Sequence, residues 1–423
     1  MKKNILVTGI GQTNYLFQLY GNIVPKLQQF NFNSVNLKGL ENLETKNKAE
    51  QVFNLNYQYN YDSIPSSKAL KGFFVLIRNS YFWKDHRIML AELGWNYFEK
   101  SWFLTKIHMH AYYFARFIDQ STKSDIIHHH FLNHKQGLFL KYLTKSYKII
   151  ETYWGSDLFR IANWQEHEIQ KELLSLGNII TVATPEMKFG VLSRFGDDFS
   201  EKIRIIRFIL DETFYEQANI FLKFNNWQKD YKTGLNIPEN KIIILYGHNA
   251  FKANNHEKFI EVLKKLPPEI ISKFHIIFPL TYGNSTNDHI EWIKENTSEI
   301  DTEFTFIEKF MDWEMLAKIK IISDVYIHAP TTDGLSGFLT EYFYTGNLAI
   351  VGGWLPYKTF TNMGIEYLEF EDFSALKDIL INLPYHIETF KKIKNKNKEI
   401  VVDKFSVDKT AVKWENIFKE IEA

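Results

Sequence analysis

Short runs of branched apolar residues recur along the chain. Each ends in glycine, proline or a polar cluster, with helix-period stretches between them. In the first half the runs are NILVTG (4–9), DIIHHH (125–130), YKIIETY (147–153), NIITVAT (178–184) and KIRIIRF (202–208). In the second half they are KIIILYG (241–247), FHIIFPLTYG (274–283), FTFIEKF (304–310), DVYIHAP (324–330), LAIVGG (348–353) and EYLEFED (366–372). Near-continuous apolar runs alternating with helical stretches predict βαβ units and parallel sheets buried on both faces. The stretch 255–266 carries helix punctuation, with Asn254 and Asn255 at its start and Pro267 and Pro268 at its end.

The rhythm falls into two successive doubly wound α/β halves. A chain of 423 residues also exceeds what one hydrophobic core usually serves. The expected organisation is an N-terminal Rossmann-like domain over 1–210, a linker over 211–240, and a C-terminal Rossmann-like domain over 241–405. An amphipathic helix over 406–423 is expected to pack back on the first domain. The linker is placed where strand character is lost, in LDETFYEQANIFLKFNNWQKDYKTGLNIPEN.

Composition narrows the chemistry. The chain has no cysteine, so disulfides and thiolate metal sites are excluded. The opening MKKNILVTGIG is cut by Thr8 and Gly9 before it could form a signal peptide's apolar core. No run approaches the roughly 18 apolar residues of a membrane span. A cytoplasmic protein is expected, at most resting on the inner face of the membrane. Net charge is zero, yet residues 1–150 hold 19 Lys+Arg against 9 Asp+Glu, and the remainder holds 31 against 41. Aromatic and basic residues interleave over 68–118, as in KGFFVLIRNSYFWKDHR and WFLTKIHMHAYYFARF. That region reads either as core helices with solvated basic faces or as a peripheral contact with an anionic membrane. No nucleic-acid-reading module is recognisable, and no nucleic-acid partner is expected.

Ligands of open parallel sheets sit beyond the carboxyl ends of the strands, which nominates the residues there. After the first run, GIGQTNY offers Gly11 and Gln12 on a small-residue turn. His128, His129 and His130 end the next run, and alternation puts only His128 and His130 on one side. With no third ligand nearby, one histidine acting in a cleft is favoured over a zinc site. WGSDL supplies Trp154 and Asp157, the latter either functional or a cap for the following helix. HNAFKANNH supplies His248, Lys252 and Asn255, with Lys252 either a phosphate ligand or an ordinary surface lysine. In APTTDGLSGFLTEYFYTG (329–346), Asp333, Gly334, Leu335, Ser336 and Gly337 precede a helix that carries Glu341. Small residues there leave backbone N–H groups uncovered at a helix N-terminus, where an anion such as phosphate can sit. Glu341 also suits the helix dipole without any ligand.

These stretches resemble the GT-B glycosyltransferases, two Rossmann-like domains facing across a cleft. DIIHHH is similar to the Asp-x-x-His-x-His strand end of the large retaining nucleotide-sugar family, and TYWGSDL to its Thr-x-His-Gly-x-Asp segment, with Trp154 for the histidine. That family's diphosphate-binding Arg and Lys correspond to His248 and Lys252, and its two glutamates to Asp333 and Glu341. WGSDL, GHNAFKANNH and YGN (282–284) more closely resemble the 4-acetamido-4,6-dideoxygalactose (Fuc4NAc) lipid transferase family. The resemblance implies a metal-independent transferase that moves a sugar from a nucleotide-diphosphate sugar to a glycan or lipid-linked acceptor. No permanent cofactor is implied. His130, Asp157 and Glu341 would be catalytic, with His130 or Asp157 as base for inversion and His130 merely positioning for retention. Gly11, His248, Lys252, Asn255, residues 333–337 and Glu341 would bind donor; Gln12, His128 and Trp154 would bind acceptor. A GT-B epimerase and a transferase-like scaffold for a partner protein are the alternatives.

Overall fold

A computed structural model describes residues 2–9, 14–38, 43–60, 66–90, 97–132, 134–161, 163–207, 212–281, 288–392 and 394–422. The chain divides into two compact units. Unit 1 is Met1–Ile209 with Val407–Ala423, and unit 2 is Leu210–Ser406.

Unit 1 is built on seven strands: β1 (Lys3–Thr8), β2 (Phe30–Lys38), β3 (Leu55–Asn60), β4 (Ile126–His130), β5 (Lys148–Thr152), β6 (Ile179–Val182) and β7 (Ile203–Ile205). All pairings are parallel, in the order β3-β2-β1-β4-β5-β6-β7. The order reverses between β1 and β4, where Ile5 pairs with Ile126 and Thr8 with His129. The helix Val407–Glu420 closes one face of this sheet. Its Trp414, Ile417 and Phe418 join Phe30, Phe32 and Ile126 in the core, and the Phe418 ring lies 5.5 Å from both Phe30 and Phe32. Bonds between Arg204 and Glu420 of 3.1 Å pin its far end.

Unit 2 holds six strands: β8 (Ile242–Tyr246), β9 (Phe274–Pro279), β10 (Glu303–Ile307), β11 (Val325–His328), β12 (Leu348–Gly352) and β13 (Leu368–Phe370). These too are wholly parallel, ordered β10-β9-β8-β11-β12-β13. Here the reversal lies between β8 and β11. Each of the eleven apolar runs contains a strand, and two doubly wound α/β units result.

Two features depart from the sequence reading. Strands β2 (FNFNSVNLK) and β3 (LNYQYN) are rich in asparagine, which strands disfavour, and they escape an apolar-run criterion. The stretch expected as a linker is folded into helices over 212–234. Helices Glu212–Lys223 and Trp227–Gly234 belong to unit 2. They grip Lys318 of helix Trp313–Ile322, whose ammonium lies 4.7 Å from the Phe221 ring, 5.3 Å from Tyr231 and 5.9 Å from Trp227. Strand character vanishes there because the pattern is helical, with Phe214 and Ala218 facing inward.

Candidate functional site

In a doubly wound sheet, ligands bind where the strand order reverses. In unit 2 that point lies beyond β8 and β11. The chain leaves β8 at Gly247, whose φ is +68°. A side chain there would be strained by that φ, though its Cβ would have room, 3.4 Å from His256 Nε2. His248 follows, and Asn249 then ties the loop down, accepting from Phe251 N (3.0 Å) and Asn254 Nδ2 (2.6 Å). The 3₁₀ turn Lys252–Asn254 ends at Asn255, which is left-handed at φ 57°, a conformation asparagine tolerates well.

This turn is stitched to the loop leaving β11. Asn255 Nδ2 donates to Ala329 O (2.8 Å), and Thr331 N donates to Ala253 O (2.7 Å). Lys252, Asn255 and the 331–337 loop, three separate sequence candidates, therefore occupy one place. Lys252 is exposed. Beyond it the helix Gly337–Thr345 begins, with Ser336 as its cap: Leu339 N donates to Ser336 Oγ (3.1 Å). One orphan donor of the first turn is met by this cap; the N–H groups of the opening residues fall outside the helix's own ladder. With the macrodipole they present positive potential beside the Lys252 turn.

Asp333 sits inside this loop within a buried network. Its Oδ1 accepts from Gly334 N (2.7 Å) and its Oδ2 from the Tyr357 hydroxyl (2.7 Å). His328 Nε2 lies 3.4 Å from the same Oδ2 and 3.0 Å from Tyr357 Oη, while His328 Nδ1 meets the Tyr326 hydroxyl at 2.8 Å. Burial alone would raise the Asp333 carboxyl, but His328, His248 and Tyr357 together hold it below its ordinary value. The His248 ring lies 5.6 Å from His328 and 6.0 Å from Phe338. Sequence reasoning missed His328, Tyr326 and Tyr357. The first two share one strand at i, i+2, a visible spacing; Tyr357 gave no signal.

Glu341 is buried and ion-paired with Lys320, which is wholly buried, also donates to Phe338 O (3.0 Å), and lies 3.7 Å from the Phe338 ring centroid. Burial lowers the Lys320 ammonium to about 8, and Glu341 opposes that drop. The carboxylate expected to bind donor is thus already held by a cation that the sequence did not single out.

In unit 1 the order reverses beyond β1 and β4. The two strand ends nearly touch: a Cβ on Gly9, at φ +91°, would stand 2.9 Å from His130 O. Gly11 and Gln12 lie outside the described residues, as does the YGN of 282–284. The three histidines are fully buried. His128 and His130 share a side with ring centroids 4.1 Å apart, and His129 faces the other way, to Thr8 Oγ1 at 2.7 Å.

The pair is wired into one chain of hydrogen bonds with a forced direction. An indole nitrogen can only donate, so Trp154 Nε1–H donates to His130 Nδ1 (3.1 Å). His130 then carries its proton on Nε2 and donates it to Tyr20 Oη (2.8 Å). The Tyr20 hydroxyl donates in turn to His128 Nδ1 (2.7 Å), and His128 Nε2–H to Thr152 Oγ1 (2.7 Å), which meets Thr181 Oγ1 at 2.6 Å. Both ring nitrogens of both histidines are taken. Burial, with a smaller contribution from neighbouring imidazoles, lowers His128 to about 3 and His130 well below its ordinary value, so both rings are neutral. Tyr20 lies 108 residues from His128, and nothing in the sequence links them.

Asp157 is buried and serves the backbone. Oδ1 accepts from Trp154 N (2.9 Å) and Gly155 N (3.0 Å), and Oδ2 from Leu132 N (3.0 Å). Burial pushes its carboxyl up to about 6 against those three donors. It staples the ends of β4 and β5 together and is not a helix cap: it lies inside the short helix Ser156–Phe159, whose cap position is Gly155 and which takes no side-chain cap bond. Trp154 is half-buried and stacks on Phe131 with centroids 5.6 Å apart and planes 21° apart.

No protein-family profile matches the chain, and no curated protein matches it in sequence. Solved structures do match. Anabaena HepE in complex with UDP and glucose is 10% identical, covering 99% of this chain and 100% of its own, with a TM-score of 0.68. A glycosyltransferase from Rickettsia africae is 15% identical, covering 99% and 98%, with a TM-score of 0.68. An α,α-trehalose-phosphate synthase (UDP-forming) from Burkholderia vietnamiensis is 10% identical, covering 100% and 98%, with a TM-score of 0.67. At such identities the likeness is one of fold: the chain shares the GT-B architecture of nucleotide-sugar glycosyltransferases.

Proposed function

We propose that this chain is a glycosyltransferase that moves a sugar from a nucleotide-diphosphate sugar to a hydroxyl of a glycan or lipid-linked acceptor. One observation carries the reading. The turn that carries the exposed Lys252 and Asn255 is hydrogen-bonded to the loop that leaves β11 and runs into the N-terminus of the helix Gly337–Thr345, at the β8/β11 reversal. Departure of a nucleoside diphosphate builds negative charge on its phosphates. Preorganised N–H groups and an ammonium stabilise that charge as it forms, supplying the positive potential that would otherwise fall to a cation. The reading is accordingly metal-independent.

Within it, His248, Lys252, Asn255 and residues 333–337 bind donor. Glu341 acts as a carboxylate pre-oriented by Lys320. Trp154 lines the acceptor side, whereas His128, expected to do so too, is fully buried with both nitrogens engaged and supports the network behind it. His130 positions rather than abstracts a proton, because neither of its nitrogens is open. Gly11 and Gln12 complete the proposal from sequence alone. The likeness of WGSDL and GHNAFKANNH to the Fuc4NAc lipid transferases favours hexosyl transfer in cell-envelope polysaccharide or glycolipid synthesis at the cytoplasmic face of the membrane.

The test is calorimetric titration with UDP, GDP, dTDP and CMP, without and with Mg²⁺. Binding of one nucleoside diphosphate without metal is expected, weakened about tenfold or more by Lys252→Ala, which is one lost charge-assisted contact. Binding of none overturns the reading. It would leave the scaffold alternative, which the substitutions His248 and Asp333 favour.

A further inference from the structure

Helices Ser66–Leu76, Ser80–Leu90 and Tyr97–Ser121 of unit 1 contain most of the interleaved aromatic and basic segment. Their inner faces are accounted for. Lys141 is wholly buried and donates to Asp85 Oδ1 (2.7 Å), Asp85 Oδ2 (2.9 Å) and Glu172 Oε2 (2.6 Å). His86 meets Ser101 O (3.4 Å) and Thr105 Oγ1 (3.3 Å), and the Phe82 ring packs on His108 at 5.3 Å. These contacts lay the second helix along the first turns of the long one. Trp83 Nε1 donates to Ile77 O (2.7 Å), which draws the end of the first helix to the same corner.

The outward side of that corner is apolar to a degree a solvated helix does not need. Phe74, Trp83, Trp102 and Phe103 are 51%, 55%, 57% and 53% exposed, on all three helices. Exposed aromatics of this size on neighbouring helices mark an interaction surface. Lys71, Arg78, Arg87 and Lys106 are exposed among them, with Lys106 Nζ 5.5 Å from the Trp102 ring. Of the described acidic groups near them, Glu168 is exposed and acts on Lys84, and three others are engaged. Asp85 and Asp119 are buried and engaged, Asp119 by Thr144 and Tyr147. Glu172, on the neighbouring helix Trp164–Leu176, is committed to Lys141 and Lys84.

We propose that this corner docks on an anionic lipid bilayer, with the four aromatic side chains entering the headgroup region and the four cations meeting lipid phosphates. Tryptophan and phenylalanine with flanking lysine and arginine is the composition such an interface selects. The burial of Asp85 and Asp119 and the pairing of Glu172 with Lys141 and Lys84 lessen the repulsion the bilayer would meet. Among the described residues no helix is long and apolar enough to cross a membrane, so the contact is peripheral. The inference stands on unit 1 alone and is tested without sugar chemistry, so its failure and that of the transferase reading are separate results.

The experiment is co-sedimentation of the full chain with vesicles of phosphatidylcholine alone and of phosphatidylcholine with about one third phosphatidylglycerol. Binding to the anionic vesicles alone is expected, falling as salt is raised. Replacing Lys71, Arg78, Arg87 and Lys106 by glutamine should lower partitioning, at about fivefold per charge, by roughly two to three orders of magnitude. Phe74→Ser with Trp102→Ser should lower it at constant charge and abolish the blue shift of tryptophan emission on vesicle addition. Both sets replace exposed groups, and an unchanged melting temperature verifies folding. No binding to anionic vesicles at low salt overturns the proposal, as does binding that both variants retain. A dimer in lipid-free solution that the Phe74/Trp102 variant dissociates overturns it too, assigning the surface to a second copy.

Discussion

Replacing Tyr20 by phenylalanine removes one oxygen from the centre of the unit 1 chain and leaves the ring where it is, packed 5.3 Å from Phe53 and 5.9 Å from Phe32. Two hydrogen bonds go with that oxygen. His130 Nε2–H loses its acceptor and His128 Nδ1 loses its donor. Both rings are fully buried, so bulk water does not step in. Each stranded buried polar group costs about 1–3 kcal/mol, and relief from burying the hydroxyl offsets part of this. A net loss of about 2–4 kcal/mol follows, or roughly 5–15 °C in the melting temperature of a unit of this size. Urea unfolding of wild type and variant, followed by tryptophan fluorescence, measures it. A loss below about 0.5 kcal/mol, the range of indifferent surface changes, refutes the reasoning. Nitrogen-15 spectra of the histidine rings give a second check on direction. His128 and His130 should both carry their proton on Nε2, and an Nδ1–H on either refutes the wiring from Trp154.

Three further outcomes are expected. Glu151 is wholly buried on β5 with neither oxygen hydrogen-bonded, and burial raises its carboxyl well above the ordinary value; the folded state therefore holds the proton longer than the unfolded one, and stability is lost as pH rises above about 4.5. Glu151→Gln should match wild type near pH 4 and gain on it by about 1.4 kcal/mol per pH unit above that, flattening at the native pKa; a difference independent of pH, read from denaturation at several pH values, contradicts the assignment. Lys320→Met should cost about 3–5 kcal/mol by removing the cation that faces the buried Glu341 carboxylate, whereas Lys320→Met with Glu341→Leu should recover most of it, and a double-mutant cycle on chemical denaturation reads both. Gly9→Ala should destabilise by several kcal/mol, since the residue is left-handed at φ +91° and its Cβ would meet a backbone oxygen at 2.9 Å; a thermal shift of only a degree or two would rule that out.

How much of this was legible followed from the range of the interactions involved. Eleven strands announced themselves because a run of branched apolar residues is a local pattern, and eight of the eleven are buried on both faces over most of their length. Strands β2 and β3 did not, because Asn33 and Ser34 are buried and held by tertiary bonds such as Ser34 Oγ to Asn56 Oδ1 at 2.8 Å, which no window reveals. The unit 2 site could be nominated because its parts sit just past strand ends, where the fold puts ligands whatever the residues are. The partners that fix the chemical state of the candidates were not legible. Tyr20 for His130, Lys320 for Glu341 and Tyr357 for Asp333 lie 110, 21 and 24 residues away. Histidine at a strand end looks the same in sequence whether its nitrogens are open or both engaged.

The two reversal points differ in a way that bears on which half of a nucleotide sugar reaction each suits. At β1/β4 both ring nitrogens of His128 and His130 are engaged, the two rings are neutral, and what remains on offer is the half-exposed Trp154 indole stacked on Phe131. An aromatic face with a saturated polar network behind it favours an uncharged ring or chain over an anion, because it has apolar area to give and no charge. At β8/β11 the balance is reversed: Lys252 is exposed, and a helix begins beside it. That surface favours an anion. Asp333 would oppose one, were its charge not shared with His328 and Tyr357 inside the loop. A carboxylate so engaged repels a phosphate less than a free one and can still accept from a sugar hydroxyl. By this argument Asp333→Asn should weaken binding of the nucleotide sugar more than that of the bare nucleoside diphosphate. Equal weakening of the two, measured by calorimetry, would mean that Asp333 serves the loop alone.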